Sequence, residues 1–374
     1  QVIPKLGYGG AETGCYDIAH FLSENDCGSF IVTSGGGLLK FIKKDKVKVF
    51  RLPVHSKNPF LIIFNSLILS LYIVIFKINI IHARSRAPAW SCYFASFLTR
   101  RVFVTTFHGT YNFKSNIKKF YNSIMLRAKL TIAGSNFIFS HINENYNEYL
   151  SKEKKLRVIY RGINIDYYNL KNISILKQEK LKKEWNLSSN KFTILLPGRL
   201  TYWKGQEKFI ESLNILIEDY NVNNFQAIIL GSDQGRKVYS KKLINLVERY
   251  NLNKKIKFIE HCKEMPLAYS LSDVVVSTSI EPEAFGRISV EAQSMGKPII
   301  ASNIGGSKET VINKKTGLLY KYDDPRELAK CLNAVIQLSP DELKSMGNEG
   351  RKNVTKKFDV ETMCQSNLKE YKRL

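Results

Sequence analysis

Short runs of apolar, mostly β-branched residues alternate along this chain with amphipathic stretches and glycine-rich junctions, the pattern of βαβ units on a parallel sheet. In the first part the runs are 47–52, 78–82, 102–106, 130–133 and 158–160. A second set occupies 193–196, 227–230, 257–259, 274–277, 299–301 and 318–320, and helical periodicity then predicts three closing helices over 325–338, 340–356 and 360–371. The fold class is therefore α/β, with two Rossmann-like doubly wound domains and a cleft expected between them. The polar, Lys-rich stretch 169–191 is the natural joint. It predicts domains 1–168 and 169–357, with the last helix, 358–374, packing back on the first. Gln1-Val2-Ile3-Pro4 reads as the tail of a strand, so further residues are expected ahead of it.

Residues 58–76 carry no charge, and as a helix these 19 positions would span roughly 28 Å, close to the thickness of a bilayer core. Pro59, Asn65, Ser66, Ser70 and Tyr72 interrupt the run, and the strands predicted on either side would have to lie across a membrane from one another. The expectation is a buried or interface-lying helix.

Composition sharpens this picture. With 374 residues, 44% hydrophobic and 24% charged, the chain excludes disorder, collagen and a disulfide-stapled miniprotein. Its 57 Lys and Arg against 33 Asp and Glu leave a net charge of +24. The excess is uneven: no Asp or Glu occurs in the 98 residues between Asp45 and Glu144, where 14 Lys or Arg fall. Such a field attracts anions, and charge alone admits both nucleic acid and anionic lipid. The six cysteines are scattered without a CxxC pair and no secretory leader pattern opens the chain, which reads as a reduced, cytoplasmic protein.

In doubly wound sheets ligands bind beyond the carboxyl ends of strands. Lys5-Leu6-Gly7-Tyr8-Gly9-Gly10 there forms a glycine-rich turn feeding a helix, able to present N–H groups to an anion. After 193–196, Arg199 and Lys204 stand five residues apart with glycine on each side, a spacing suited to a diphosphate. The richest cluster is Glu281-Pro282-Glu283-Ala284-Phe285-Gly286-Arg287 leading to Glu291. Glu283 and Glu291 can face one pocket and hold sugar hydroxyls, while the N–H groups of Phe285 and Gly286 lie at a positive helix end. The alternative for Glu283 is a helix cap. His108 precedes Gly109 at a strand end and is a candidate for function rather than packing; His82 has the weaker version of the same placement.

The Glu283/Glu291 pair within EPEAFGRISVEAQSMGKPIIAS, the GRLTYWKGQ loop and the N-terminal GGAE resemble the retaining GT-B glycosyltransferases of family 4. TFHGTY at 105–111 and HARSRAPAW at 82–90 are similar to bacterial envelope members that build lipopolysaccharide cores. The resemblance implies that Glu291 binds the ribose, Glu283 the donor sugar, and Arg199 with Lys204 the diphosphate. It places His108 near the reacting centre and Gly9, Gly10, Gly198, Gly231, Ala284, Phe285 and Gly286 along the donor. His82, Arg84 and Arg86 fall on the acceptor side. One departure is Arg161-Gly162-Ile163-Asn164, where the family has Asp in place of Asn164.

The implied activity is transfer of a sugar, with retention, from a nucleotide-diphosphate donor to a lipid-linked or lipopolysaccharide-type acceptor. No D-x-D pair is present to hold Mg²⁺ or Mn²⁺, so no metal or other cofactor is expected. The acid-free stretch and the run 58–76 together predict peripheral attachment to the inner face of the plasma membrane, with Lys114, Lys118 and Lys119 contributing. A nucleotide-sugar epimerase would share the donor pocket but has no use for a basic, apolar first domain. A nucleic-acid binder would interleave aromatics with its basic residues on one face, and a dinucleotide oxidoreductase needs GxGxxG; neither pattern is present.

Overall fold

Two parallel sheets organise the chain, and the computed structural model describes residues 1–150 and 155–374. Unit 1 comprises Gln1–Gly162 together with Val360–Leu374, and unit 2 is Ile163–Asp359. The joint expected at 168/169 thus falls six residues earlier.

Unit 1 runs β1 (Val2–Ile3), α1 (Gly10–Glu24), β2 (Ser29–Thr33), β3 (Val47–Arg51), α2 (Pro59–Ile75), β4 (Ile80–Ala83), α3 (Arg86–Thr99), β5 (Val102–Phe107), α4 (Asn116–Ser123), β6 (Leu130–Ala133), α5 (Asn136–Tyr146) and β7 (Lys155–Val158). Its seven strands are ordered β3-β2-β1-β4-β5-β6-β7. The order reverses between β1 and β4, so the loops leaving those two strands flank the crevice where this topology places ligands. Strand β2 is the element that the sequence pattern did not reveal.

Unit 2 runs α6 (Ile175–Glu184), β8 (Phe192–Pro197), α7 (Gln206–Glu218), β9 (Phe225–Leu230), α8 (Lys237–Arg249), β10 (Ile256–Ile259), α9 (Met265–Ser270), β11 (Val274–Ser277), α10 (Arg287–Ser294), β12 (Ile299–Ser302), α11 (Ser307–Thr310), β13 (Gly317–Tyr320), α12 (Pro325–Ile336) and α13 (Pro340–Lys357). The six strands are ordered β10-β9-β8-β11-β12-β13, with the reversal between β8 and β11. Both GRLTYWKGQ and EPEAFGR leave the strands at that point. Strands β8, β9 and β11 are almost wholly buried, which explains their continuous apolar runs. Ile194, Leu196, Ala227, Ile229, Val274 and Val276 point to one face, where Phe209, Leu213 and Leu216 of α7 and Leu328 and Leu332 of α12 cover them.

Chain order and packing part company at α14 (Val360–Tyr371), which belongs to unit 1. Its Met363 and Cys364 sit among Ile18 of α1, Val104, Leu130 and Ile132. Helix α13 stops at Lys357 after a full capping box at its start, in which Ser339 and Glu342 satisfy each other's backbone N–H groups.

Candidate functional site

In unit 2 the site is assembled from loops at the carboxyl ends of β8, β9 and β11. Gly205 caps α7 with φ +68°, and a Cβ there would lie 2.0 Å from the Thr278 carbonyl oxygen. The Thr278 hydroxyl donates to the Lys204 carbonyl at 2.7 Å, and Ile280 N–H donates to the Trp203 carbonyl at 2.9 Å. The two loops are therefore joined by one backbone and one side-chain hydrogen bond. Gly231, following β9, approaches equally closely: a Cβ would meet the Gly198 carbonyl oxygen at 2.0 Å. No side chain fits at either position.

These contacts fix Lys204 against Glu283. The Lys204 Nζ lies 2.7 Å from Glu283 Oε1, with only 12% and 13% of the two side chains exposed. The Ser279 hydroxyl donates to the same oxygen. Burial by itself would push the Glu283 carboxyl up, but Lys204, Ser279 and Arg199 together outweigh it and hold the group below the usual glutamate value. The cap reading for Glu283 is not what is seen; Gly286, in the left-handed region at φ +80°, occupies the cap position of α10. Ala284 and Phe285 complete the turn between the carboxylate and that helix start. Arg199 is exposed, held through its carbonyl, which accepts from Gln206 Nε2 at 2.9 Å. Of the expected two-cation clamp, one member is thus free to meet solvent and the other is already paired. An ammonium carries three donors, so Lys204 keeps hydrogen-bonding capacity toward an anion.

Glu291 sits one turn inside α10 and is engaged on both oxygens. Arg287 Nε approaches Oε1 at 2.5 Å and the Tyr269 hydroxyl donates to Oε2 at 2.7 Å. Burial first, then the Glu291 charge, pushes the Tyr269 hydroxyl far above its ordinary range, so it remains a donor. Each carboxylate oxygen can accept a second bond. Tyr269, Arg287 and Ser279 are the residues that sequence reasoning missed. Ser279 and Arg287 lie beside or within the motif, but Tyr269 is 22 positions upstream with no local signal.

In unit 1, Gly9 caps α1 and Gly10 opens it, as the glycine-rich turn suggested. His108 follows β5, and its carbonyl accepts from Arg161 at 2.8 Å. Both ring nitrogens are buried without a partner among the described residues. Burial, with Arg161 and Arg84 adding to it, holds the ring well below the ordinary histidine value, so it is neutral. Arg161 opens the tetrapeptide that ends in Asn164, and nothing in its local sequence signals the contact with His108. That asparagine caps its own turn, accepting from the N–H groups of Asp166 and Tyr167.

Two acceptor-side expectations are corrected. His82 is 2% exposed and bonded at both nitrogens, to Thr106 Oγ1 at 2.8 Å and to the Tyr371 hydroxyl of α14. It is a packed core histidine. Arg84 is likewise buried, its guanidinium donating to the Gln1 side-chain oxygen. Arg86 alone stays partly accessible. It opens α3, donates to Asn122 Oδ1 at 2.8 Å and lies over the Tyr111 ring at 4.4 Å. Among the described residues no cluster of His, Cys, Asp or Glu is arranged to hold a metal ion.

Comparison with known proteins agrees with the fold. Residues 177–353 match the family model described as glycosyl transferases group 1, and residues 8–167 match glycosyltransferase family 4. A solved glycosyltransferase from Rickettsia africae is 34% identical over 100% of this chain and 97% of its own, with a TM-score of 0.90. Anabaena HepE, solved with UDP and glucose, is 25% identical over 100% and 98%, with a TM-score of 0.82. The Staphylococcus aureus capsular polysaccharide biosynthesis glycosyltransferase CapM is 28% identical over 59% of this chain and 58% of its own. With two doubly wound parallel sheets, both family models in order and a full-length relative above 30% identity, the chain belongs to the GT-B glycosyltransferases.

Proposed function

We propose that this glycosyltransferase moves a sugar, with retention at the anomeric carbon, from a nucleotide-diphosphate donor to a lipid-linked or lipopolysaccharide-type acceptor at the inner face of the plasma membrane. The observation that carries the donor assignment is the Lys204–Glu283 pair, buried where the sheet order of unit 2 reverses, beside the exposed Arg199 and the start of α10. Arg199, Lys204 and the positive end of α10 offset the charge that grows on the leaving diphosphate. Glu283 accepts hydroxyls of the donor sugar and Glu291 those of the ribose. His108, neutral and with unpaired nitrogens, supplies a hydrogen bond to the substrate. The departing diphosphate takes the proton of the acceptor hydroxyl as the new glycosidic bond forms on the face it leaves. Fixed cations serve where other transferases use a metal ion. The UDP and glucose bound by the Anabaena relative support a UDP-sugar donor, and the capsular role named for the Staphylococcus relative supports an envelope acceptor.

The test is a screen of nucleotide sugars for nucleotide release, with and without EDTA, followed by NMR of the anomeric configuration in the product. Release that survives chelation, with retained configuration, is expected. Epimerised donor without nucleotide release, or dependence on Mn²⁺, overturns the reading.

A further inference from the structure

Helix α2 is apolar on its exposed side as well as its buried one, where Leu69 and Ile73 pack inward. Its buried positions include Asn65, whose amide donates to the Pro53 carbonyl, and Ser66, whose hydroxyl donates to the Ile62 carbonyl. Its solvent face carries Phe60, Ile63, Phe64, Leu67, Leu71 and Val74, with Phe60 81% exposed. These positions recur every three or four residues, so they form one stripe along a helix of about 25 Å. A globular surface helix carries charged and polar residues on that outer face.

The stripe does not end at α2. Helix α3 packs beside it, joined by the Ser91 hydroxyl donating to the Ile62 carbonyl, and exposes Phe94, Phe97 and Leu98, with Phe97 at 76%. Trp90 of α3 in turn contacts Phe120 of α4, which is exposed together with Ile117. Three helices therefore present one apolar face, larger than isolated surface hydrophobes account for. Lys57 and Lys77 flank α2, Arg100 and Arg101 follow α3, and Lys114 and Lys118 flank and enter α4; all are exposed, and none makes an ion pair among the described residues. Lys119, expected to join them, is instead paired with Glu148 at 2.7 Å.

We infer that the α2–α3–α4 face docks on an anionic lipid bilayer, its apolar side chains entering the headgroup boundary and the flanking cations meeting lipid phosphates. The inference rests on the lipid-linked acceptor reading and adds the surface that meets the lipid. No described helix is long and apolar enough to cross a membrane, so insertion is shallow. Charge selects the bilayer over a second copy of the chain. A symmetric dimer through this face would oppose the same six cations, with no acidic residue between positions 46 and 143 to answer them. Arg86, at the head of α3, places the candidate acceptor residue on the same helix as Phe97, about 17 Å along its axis.

The test is co-sedimentation with vesicles of phosphatidylcholine alone and of phosphatidylcholine with one-quarter phosphatidylglycerol, alongside light scattering and donor hydrolysis. Wild type should bind the anionic vesicles, less so at high salt, and remain monomeric. The variant F60S/F64S/L67S should bind them roughly tenfold or more weakly while hydrolysing donor normally. K114E/K118E should weaken binding chiefly at low salt. Equal binding by wild type and the triple variant overturns the docking face. A wild-type dimer that the triple variant abolishes, without vesicle binding, assigns the face to a second copy and overturns the inference. Vesicle binding without any nucleotide release refutes the enzymatic reading separately and leaves the docking result standing.

Discussion

Lys204→Met should expose how much of unit 2 depends on one buried pair. The substitution keeps an unbranched chain of similar length but strands the Glu283 carboxylate with Ser279 and the more distant Arg199. Breaking a buried pair from one side costs about 3–5 kcal/mol. With 12% and 13% of the two side chains still exposed, the lower figure applies. For a unit of 163–359, about 3 kcal/mol corresponds to a melting temperature lowered by roughly 6–12 °C. The pH dependence is the sharper signature. In the wild type the depressed Glu283 carboxyl contributes stability above the unfolded glutamate value, lost as pH falls through the folded one. In Lys204→Met burial prevails, the folded value rises above the unfolded one, and proton uptake then relieves the stranded charge as pH falls. The deficit should therefore be large at neutral pH and shrink toward pH 5, and Lys204→Met/Glu283→Gln should recover most of it. Differential scanning calorimetry across that range gives the answer. A deficit independent of pH, or a double variant no better than the single, refutes the pair as the source.

Three further outcomes follow from the same geometry. Arg199→Ala, on an exposed side chain, should leave melting unchanged and lower kcat about 10²-fold in nucleotide release; near-normal turnover would remove it from the site. Gly231→Ala forces a Cβ to within 2.0 Å of the Gly198 carbonyl oxygen, costing about 1–3 kcal/mol and raising the donor KM, read by calorimetry and initial rates. His82 is held well below the ordinary histidine value by burial and then Arg84, so the unfolded chain takes up a proton that the folded one refuses. His82 should contribute up to about 1.4 kcal/mol of lost stability per pH unit below pH 6.5, with buried His108 adding its own share, and His82→Gln should reduce the slope in urea titrations by that amount.

The strands of unit 2 were legible because their neighbours bury both faces, leaving unbroken β-branched runs such as Val274–Ser277. Strand β2 was not, although Phe30 to Thr33 all favour strands, since the run is short and enclosed between the turns around Asp26 and Gly35. Arg199, Lys204 and Glu283 lie on loops, and Glu291 on the helix that follows, at the point where the sheet order of unit 2 reverses, a placement that the spacing of the predicted strands anticipates. His82 could not be read correctly, because the partner that closes its hydrogen bonding lies 289 residues away on α14. The orientation of α2 was equally hidden. A run without charge offers no polar face to set its phase, and two of its few polar residues, Asn65 and Ser66, are turned inward.

That unit 1 is completed by α14 sets the order in which the protein can form on the ribosome. Unit 2 is one unbroken stretch, Ile163–Asp359, and is whole once those residues have emerged. Unit 1, begun first, must wait for Val360–Tyr371 before Met363 and Cys364 can cover Ile18, Val104 and Leu130 and before Tyr371 reaches His82. At 5–20 residues per second the delay is roughly 10–40 s. Throughout it the nascent unit exposes an apolar seam that the native protein closes, and the half of the enzyme translated first is the half that finishes last.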